Sequence, residues 1–180
     1  MRRVVQFFLF LIPFNVFGMP ANVVIIRHAE KPSSGHVLSP QGERRAQLLV
    51  NYFKTASDMV SIGLPDFIFA SNPKDKDSSL RSIQTVTPLA KSIKLPINSN
   101  FVADDFKNMV SEILTNPVYN GKNILVAWGH KKIDKIAKKL GVTNYPDVWP
   151  DDDFESVWII NYKDNAVSSF SIVKQGLDVD

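Results

Sequence analysis

The 180-residue chain contains no cysteine. That excludes disulfide frameworks, thiolate metal sites and thiol nucleophiles, and leaves core packing alone to hold the fold. Long apolar runs are also missing. The longest, VVQFFLFLIPFNVF at residues 4–17, has 14 residues and is interrupted by Gln6, Pro13 and Asn15. A membrane-spanning helix needs about 20. No internal repeat with a period of about 33 to 45 residues is visible, and no segment is biased enough to be low-complexity. Nor is there a long basic stripe interleaved with aromatics, so the formal charge of +3 is not a nucleic-acid-binding signature.

What remains is the composition of an ordinary globular protein, 44% hydrophobic and 22% charged. Its length suits one domain with a substantial core. The first residues are a separate matter. MRR is a short basic start, the apolar run follows, and VFGMPA places Val16 and Gly18 at −3 and −1 of a cut after Gly18. This pattern predicts a signal peptide over 1–18 and a single domain over 19–180, in the periplasm or secreted. The alternatives are an uncleaved hydrophobic anchor or a buried first strand. A cut there removes Arg2 and Arg3 and takes the formal charge from +3 to +1, with no stable membrane association afterwards.

Strand-like runs occur at 22–27, 66–71, 122–128, 156–162 and 166–173. Between them, SPQGERRAQLLVNYF sets Leu48, Leu49, Tyr52 and Phe53 on one helical face, with Ser39 as N-cap and Pro40 at the first position. A second helix is expected over 78–93 with Leu80, Ile83, Thr87, Ala90 and Ile93 aligned. A third starts at Asp104 or Asp105 and buries Phe106, Met109, Val110, Ile113 and Leu114. A fourth carries Ile133, Ile136, Ala137 and Leu140 inward and ends at Gly141. Strands alternating with helices predict an α/β fold: a three-layer α/β/α sandwich, its sheet mostly parallel with an antiparallel edge hairpin through KDN. In such sheets ligands bind beyond the carboxyl ends of the strands. His28 follows the first strand, Arg81 opens the helix after the second, and His130 follows ILVAWG. Residues far apart in sequence thus converge on one rim.

Arg27, His28, Arg81 and His130 suit phosphoryl transfer through a phosphohistidine. Guanidinium groups grip phosphate oxygens, a neutral imidazole can attack phosphorus, and a protonated second imidazole can stabilise charge on the transferring group.

These residues also sit in motifs. VIIRHAEK, LSPQGERRAQLL, SSLRSIQTVTPLA and ILVAWGHKKI, in that order, resemble the histidine phosphatase superfamily, the phosphoglycerate-mutase-like fold, over residues 22–173. The resemblance implies that His28 is the nucleophile and that Arg27, Arg81 and His130 hold the phosphoryl group. It also implies that neither metal nor organic cofactor is needed, and that Gly42 and Ala46 are the small residues packing the pocket floor. Ala29 stands where the family has glycine, tolerable if its φ is negative. The Arg-His-Ala-Glu-Lys form resembles a bacterial subgroup without a defined substrate.

The proton donor is open. Lys131 stands where one branch places an aspartate, which turns attention to Asp104 and Asp105, either of which could be the acid or cap the helix. Glu30 either orients His28 or repels a misplaced carboxylate substrate, or else pairs with Lys31 or a nearby helix end. Lys31, Ser34 and Lys131 are further substrate-binding candidates. His36 reads as a loop residue, since its spacing to the other histidines fits no metal pattern. WPDDDFESVW lacks the ligand spacing of a calcium loop and reads as an acidic surface turn whose tryptophans wall the pocket.

The expectation is a metal-independent phosphatase acting on a small phosphorylated substrate, a phosphomonoester. The alternatives are a phosphate-binding module without turnover, and a phosphohistidine-protein phosphatase or a mutase. The short insert between Arg81 and His130 leaves little lid, which argues against a dedicated mutase. Oligomeric state is open, although no heptad seam suggests a coiled coil.

Overall fold

The computed structural model describes residues 18–179. The expected signal peptide therefore lies outside the described residues except for Gly18. The elements run β1 (Asn22–Arg27), α1 (Pro40–Thr55), α2 (Ser57–Ile62), β2 (Phe67–Ala70), α3 (Arg81–Ile93), β3 (Ile97–Asn98), α4 (Phe106–Thr115), β4 (Asn123–Trp128), α5 (His130–Lys139), β5 (Ser156–Lys163) and β6 (Ala166–Lys174).

One six-stranded sheet is ordered β3-β2-β4-β1-β5-β6. The first four are parallel, while β5 runs antiparallel to β1 and β6 to β5. β5 and β6 are joined across Asp164 and Asn165, with φ of 52° and 60°. Two consecutive positive φ values match the right-handed twist of a tight hairpin, and Asp and Asn tolerate them well. The expected α/β architecture with its antiparallel edge hairpin is thus the observed one.

Alternation along the strands sends side chains to both faces. Val23, Ile25, Phe69, Ile124 and Val126 pack with α4 and α5 on one side. Val24, Ile26, Ile68, Leu125 and Ala127 pack with α1, α2 and α3 on the other. Three layers result. Ser39 caps α1 as expected, its Oγ accepting from Gly42 N at 3.1 Å. Gly42 admits the helix closely: a Cβ there would lie 2.4 Å from the Glu30 carbonyl oxygen. Ala46 packs below, with Ala29 and Leu38.

The structure departs from expectation in several places. α3 begins at Arg81 because Ser78 instead closes a turn onto Asp75. Its buried stripe is Ser82, Thr85, Val86, Leu89 and Ala90, rotated from the expected one, and Leu80 is exposed. α2 and β3 have no clear signature in the sequence. Leu48 faces outward. Among the described residues, no helix is long and apolar enough to cross a membrane.

Candidate active site

The parallel strands deliver their last residues to one rim. Arg27 ends β1, and His28 leaves it with its N–H donating to Trp128 O at 3.1 Å, across to the end of β4. Ala29 follows and is fully buried. Its N–H donates to Thr85 Oγ1 at 2.8 Å, while Thr85 Oγ1 donates to Arg81 O at 2.7 Å, so the strand exit is tied to the start of α3. Ala29 is not among the non-glycine residues with positive φ, so the methyl group in place of the expected glycine is accommodated without backbone strain.

His28 is 8% exposed. Its Nδ1 lies 2.8 Å from the Ala29 carbonyl oxygen, which can only accept, so Nδ1 carries the hydrogen and the lone pair is on Nε2. Burial pulls the imidazole pKa down to about 4. The Ala29 carbonyl opposes this, while the charges of Arg27, Arg81 and His130 reinforce it. The ring is therefore neutral at physiological pH, as a nucleophile must be.

Arg27 is 1% exposed. Its Nη1 donates to three carbonyls of the loop before β5: Asp151 O at 2.7 Å, and Pro150 O and Asp153 O at 3.2 Å each. The Phe154 ring covers the guanidinium, 3.9 Å from Cζ to the ring centroid. Nε and Nη2 are buried and have no protein partner. Buried donors are nearly always satisfied, so two left open on one guanidinium point to an anionic ligand. Burial lowers the Arg27 pKa, and Asp151, Asp153, Asp152 and Glu30 oppose it.

The loop that holds Arg27 is itself pinned. Asp153 accepts from Glu155 N, Ser156 N, Ser156 Oγ and Lys174 Nζ, and Trp149 Nε1 donates to Asp153 O at 2.7 Å. Burial pushes the Asp153 carboxyl up, but these donors outweigh it and hold its pKa at about 2.

Arg81 is half-buried. Its Nε donates to Val37 O at 3.0 Å and its Nη2 to Gly35 O, stitching the 33–38 loop to the start of α3. Burial lowers its pKa. His130 opens α5 behind Gly129, with Nε2 2.7 Å from Asp151 Oδ1. Nε2 has no aligned hydrogen-bond partner, so this is a close approach to the carboxylate rather than a directed bond. Burial lowers the His130 pKa, Arg27 adds to this, and Asp151 opposes it. Burial and Arg27 thus act against the protonated His130 suggested by the sequence, while the Asp151 carboxylate acts for it.

Beside His28 opens a cleft of about 350 Å³, lined also by Arg81, Ser71, Ser82, Lys74 and Asp104. Ser71 Oγ donates to Ser82 Oγ at 2.8 Å.

No protein-family model matches this chain, and no curated protein matches it. Solved structures do. The protein histidine phosphatase SixA, complexed with tungstate, superposes with a TM-score of 0.60 at 17% identity, covering 86% of this chain and 97% of that one. The mycobacterial glucosyl-3-phosphoglycerate phosphatase with inorganic phosphate gives 0.56 at 11% identity, covering 88% and 98%. The alpha-ribazole phosphatase from Shigella flexneri gives 0.55 at 13%, covering 85% and 95%. The chain has the histidine phosphatase fold.

Within that histidine phosphatase fold, the other candidates are placed unevenly. Asp104 lines the cleft, but its carboxylate is 82% exposed and lies 2.7 Å from Lys132 Nζ. The hydrogen bond and charge of Lys132 lower its pKa, the opposite of what a proton donor needs. Asp105 lies outside the cleft, accepting from Asn108 Nδ2 at 2.7 Å, and makes no side-chain cap. Glu30 is 7% exposed and pairs with Arg45, not with Lys31 or a helix end: Oε1 lies 2.8 Å from Nε and 2.7 Å from Nη2. Lys31 and Ser34 are exposed on the 31–38 loop and do not line the cleft. Lys131 is also exposed, because the buried stripe of α5 at Ile133, Ile136 and Ala137 turns it outward.

The loop WPDDDFESVW is more than a surface turn. Trp149 and Trp158 are buried, 5.2 Å apart, and belong to the core rather than to a pocket wall. Phe154 is the aromatic residue at the site, 6.1 Å from the His28 ring. Sequence reasoning missed it, along with Ser71 and Ser82. The end of the second strand-like run, DFIFAS, was the available signal for Ser71.

Proposed function

We propose that this chain is a phosphohydrolase in which His28 Nε2 attacks phosphorus and forms a transient phosphohistidine. One observation carries the proposal: a buried, neutral imidazole with its lone pair on Nε2, set beside a buried guanidinium with two open donors. Arg27 Nε and Nη2 would take phosphoryl oxygens, with Arg81 and His130 completing the grip. The P–O bond to the leaving group breaks as the N–P bond forms, and water then hydrolyses the phosphohistidine, returning neutral His28 and inorganic phosphate. Solved structures of the same fold include phosphatases, which supports this reading.

A second reading concerns the leaving group. Asp104 is tied to Lys132 and held ionised, and no other carboxyl group lines the cleft among the described residues. A substrate whose leaving group departs without a strong acid is favoured, such as an aryl phosphate or a phosphohistidine. One structure of this fold is a protein histidine phosphatase. The basic, apolar start of the chain supports a periplasmic or secreted setting.

The test is hydrolysis of an aryl phosphate by residues 19–180 with chelator present, wild type beside His28→Ala. Turnover lost in the variant, with an acid-labile phosphoenzyme trapped in the wild type, is expected. Equal turnover in both proteins would overturn the role of His28, and absence of turnover in a folded wild type would favour a phosphate-binding module.

A further inference from the structure

Behind Phe154 lies a second recess of about 430 Å³, formed by α1, the loop before β5 and the tail after β6. Its charged lining is one-sided. Glu30, Asp152, Glu155 and Asp178 face a single cation, Arg45. Arg45 is fully engaged: Nε and Nη2 both bind Glu30 Oε1, and Nη1 donates to Gln175 Oε1 at 2.9 Å. Glu155 Oε1 stands off at 3.9 Å from Nη2. The second oxygen of Glu30 is consequently buried without a partner. A buried carboxylate oxygen lacking a donor is costly, and a donor bearing positive charge is its strongest complement.

We propose that this recess receives an ammonium group carried by the phosphorylated substrate. The inference rests on the phosphohydrolase reading and deepens it. Glu30 is two residues beyond His28, and Phe154 stands between the recess and the nucleophile, with its ring 6.1 Å from that of His28. Excess negative charge so near a phosphate site opposes a bare phosphate dianion through Coulomb repulsion. A substrate with its own cation converts that repulsion into attraction, and the aromatic wall favours a cation further. A metal ion is a poorer occupant: among the described residues no group of three or more His, Asp or Glu side chains could hold one.

The experiment compares two alkyl phosphates of equal length, one ending in ammonium and one in methyl, with an aryl phosphate as reference. Wild type is measured beside the double variant Asp152→Asn with Glu155→Gln, both exposed or half-buried positions where the amide keeps the shape. The ammonium compound should be preferred in kcat/KM by about tenfold, mainly through KM, the size of one partly desolvated ion pair. The preference should weaken several-fold in the double variant, Glu30 and Asp178 keeping the remainder, while aryl phosphate turnover stays. No preference in the wild type, or one undiminished in the variant, overturns the inference. If aryl phosphate is not turned over at all, the phosphohydrolase reading fails separately. Calorimetric titration of the same two alkyl phosphates then decides: tighter binding of the ammonium compound, weakened in the variant, supports the recess, and equal binding overturns it.

Discussion

The Arg27 guanidinium carbon lies 3.9 Å from the centroid of the Phe154 ring, so an arginine at the end of β1 is covered by an aromatic from a distant loop, the one that precedes β5. With Nη1 fixed on three carbonyls, the ring leaves Nε and Nη2 as the donors for an anion. Phe154→Leu keeps apolar cover but removes the π face. A desolvated cation–π contact is worth about 2 kcal/mol, so kcat/KM for an aryl phosphate should fall roughly 10- to 30-fold. Steady-state kinetics on a variant with an unchanged circular dichroism spectrum checks this, and an unchanged kcat/KM would remove Phe154 from the site.

Phe154 left no mark in the sequence, and the reason is physical. β1, β4 and β5 were legible because four or five apolar residues in a row, bounded by polar ones, fit a buried strand, and β6 because the KDN turn folds it back on β5 as a hairpin. His28, Arg81 and His130 were legible because strand ends of a parallel sheet share one rim. The setting of Arg27 instead depends on main-chain carbonyls, which have no side-chain signature, and on a loop fixed by Asp153 and Trp149 through tertiary contacts. Short elements such as β3 give too few residues for any periodicity. The α3 stripe was misjudged because Thr85 and Ser82 are buried for their hydrogen bonds, which an apolar pattern does not register.

Gly42 offers a sharper structural test. A Cβ at this position would stand 2.4 Å from Glu30 O and 2.9 Å from Glu30 N, both main-chain atoms that cannot swing aside. Gly42→Ala should push α1 away from the segment carrying His28, lowering stability by about 1–3 kcal/mol and activity with it. Gly129→Ala, at φ −77° with nothing within 4 Å, should cost no more than about 1 kcal/mol, through loss of the glycine N-cap of α5. Chemical denaturation of both variants checks the pair, and equal losses would refute the close approach as the cause.

Asp104 separates two accounts of the leaving group. Its ion pair with Lys132 and its lowered pKa argue against proton donation. Asp104→Asn should therefore alter kcat by less than about threefold, equally for aryl and alkyl phosphates, since general acid catalysis would be worth about a hundredfold or more. A selective loss on the alkyl phosphate, whose leaving group needs the proton more, would restore Asp104 as the acid.

The neutral state of His28 should show in the pH dependence of folding. In the unfolded chain the imidazole takes up its proton near pH 6.5, whereas in the folded protein it does so at about 4. Between these values the unfolded state binds more protons, so stability falls as pH drops from about 6.5 to about 4 and is flat above that range. A difference of this size corresponds to about 3 kcal/mol. His28→Gln removes the titrating group, while His130, whose pKa is lowered in the same direction, remains in both proteins. Urea unfolding from pH 7 to pH 4 should therefore cost the wild type about 3 kcal/mol more than the variant. Parallel curves would mean that folded His28 protonates normally, and the neutral nucleophile on which the proposed chemistry depends would be lost with it.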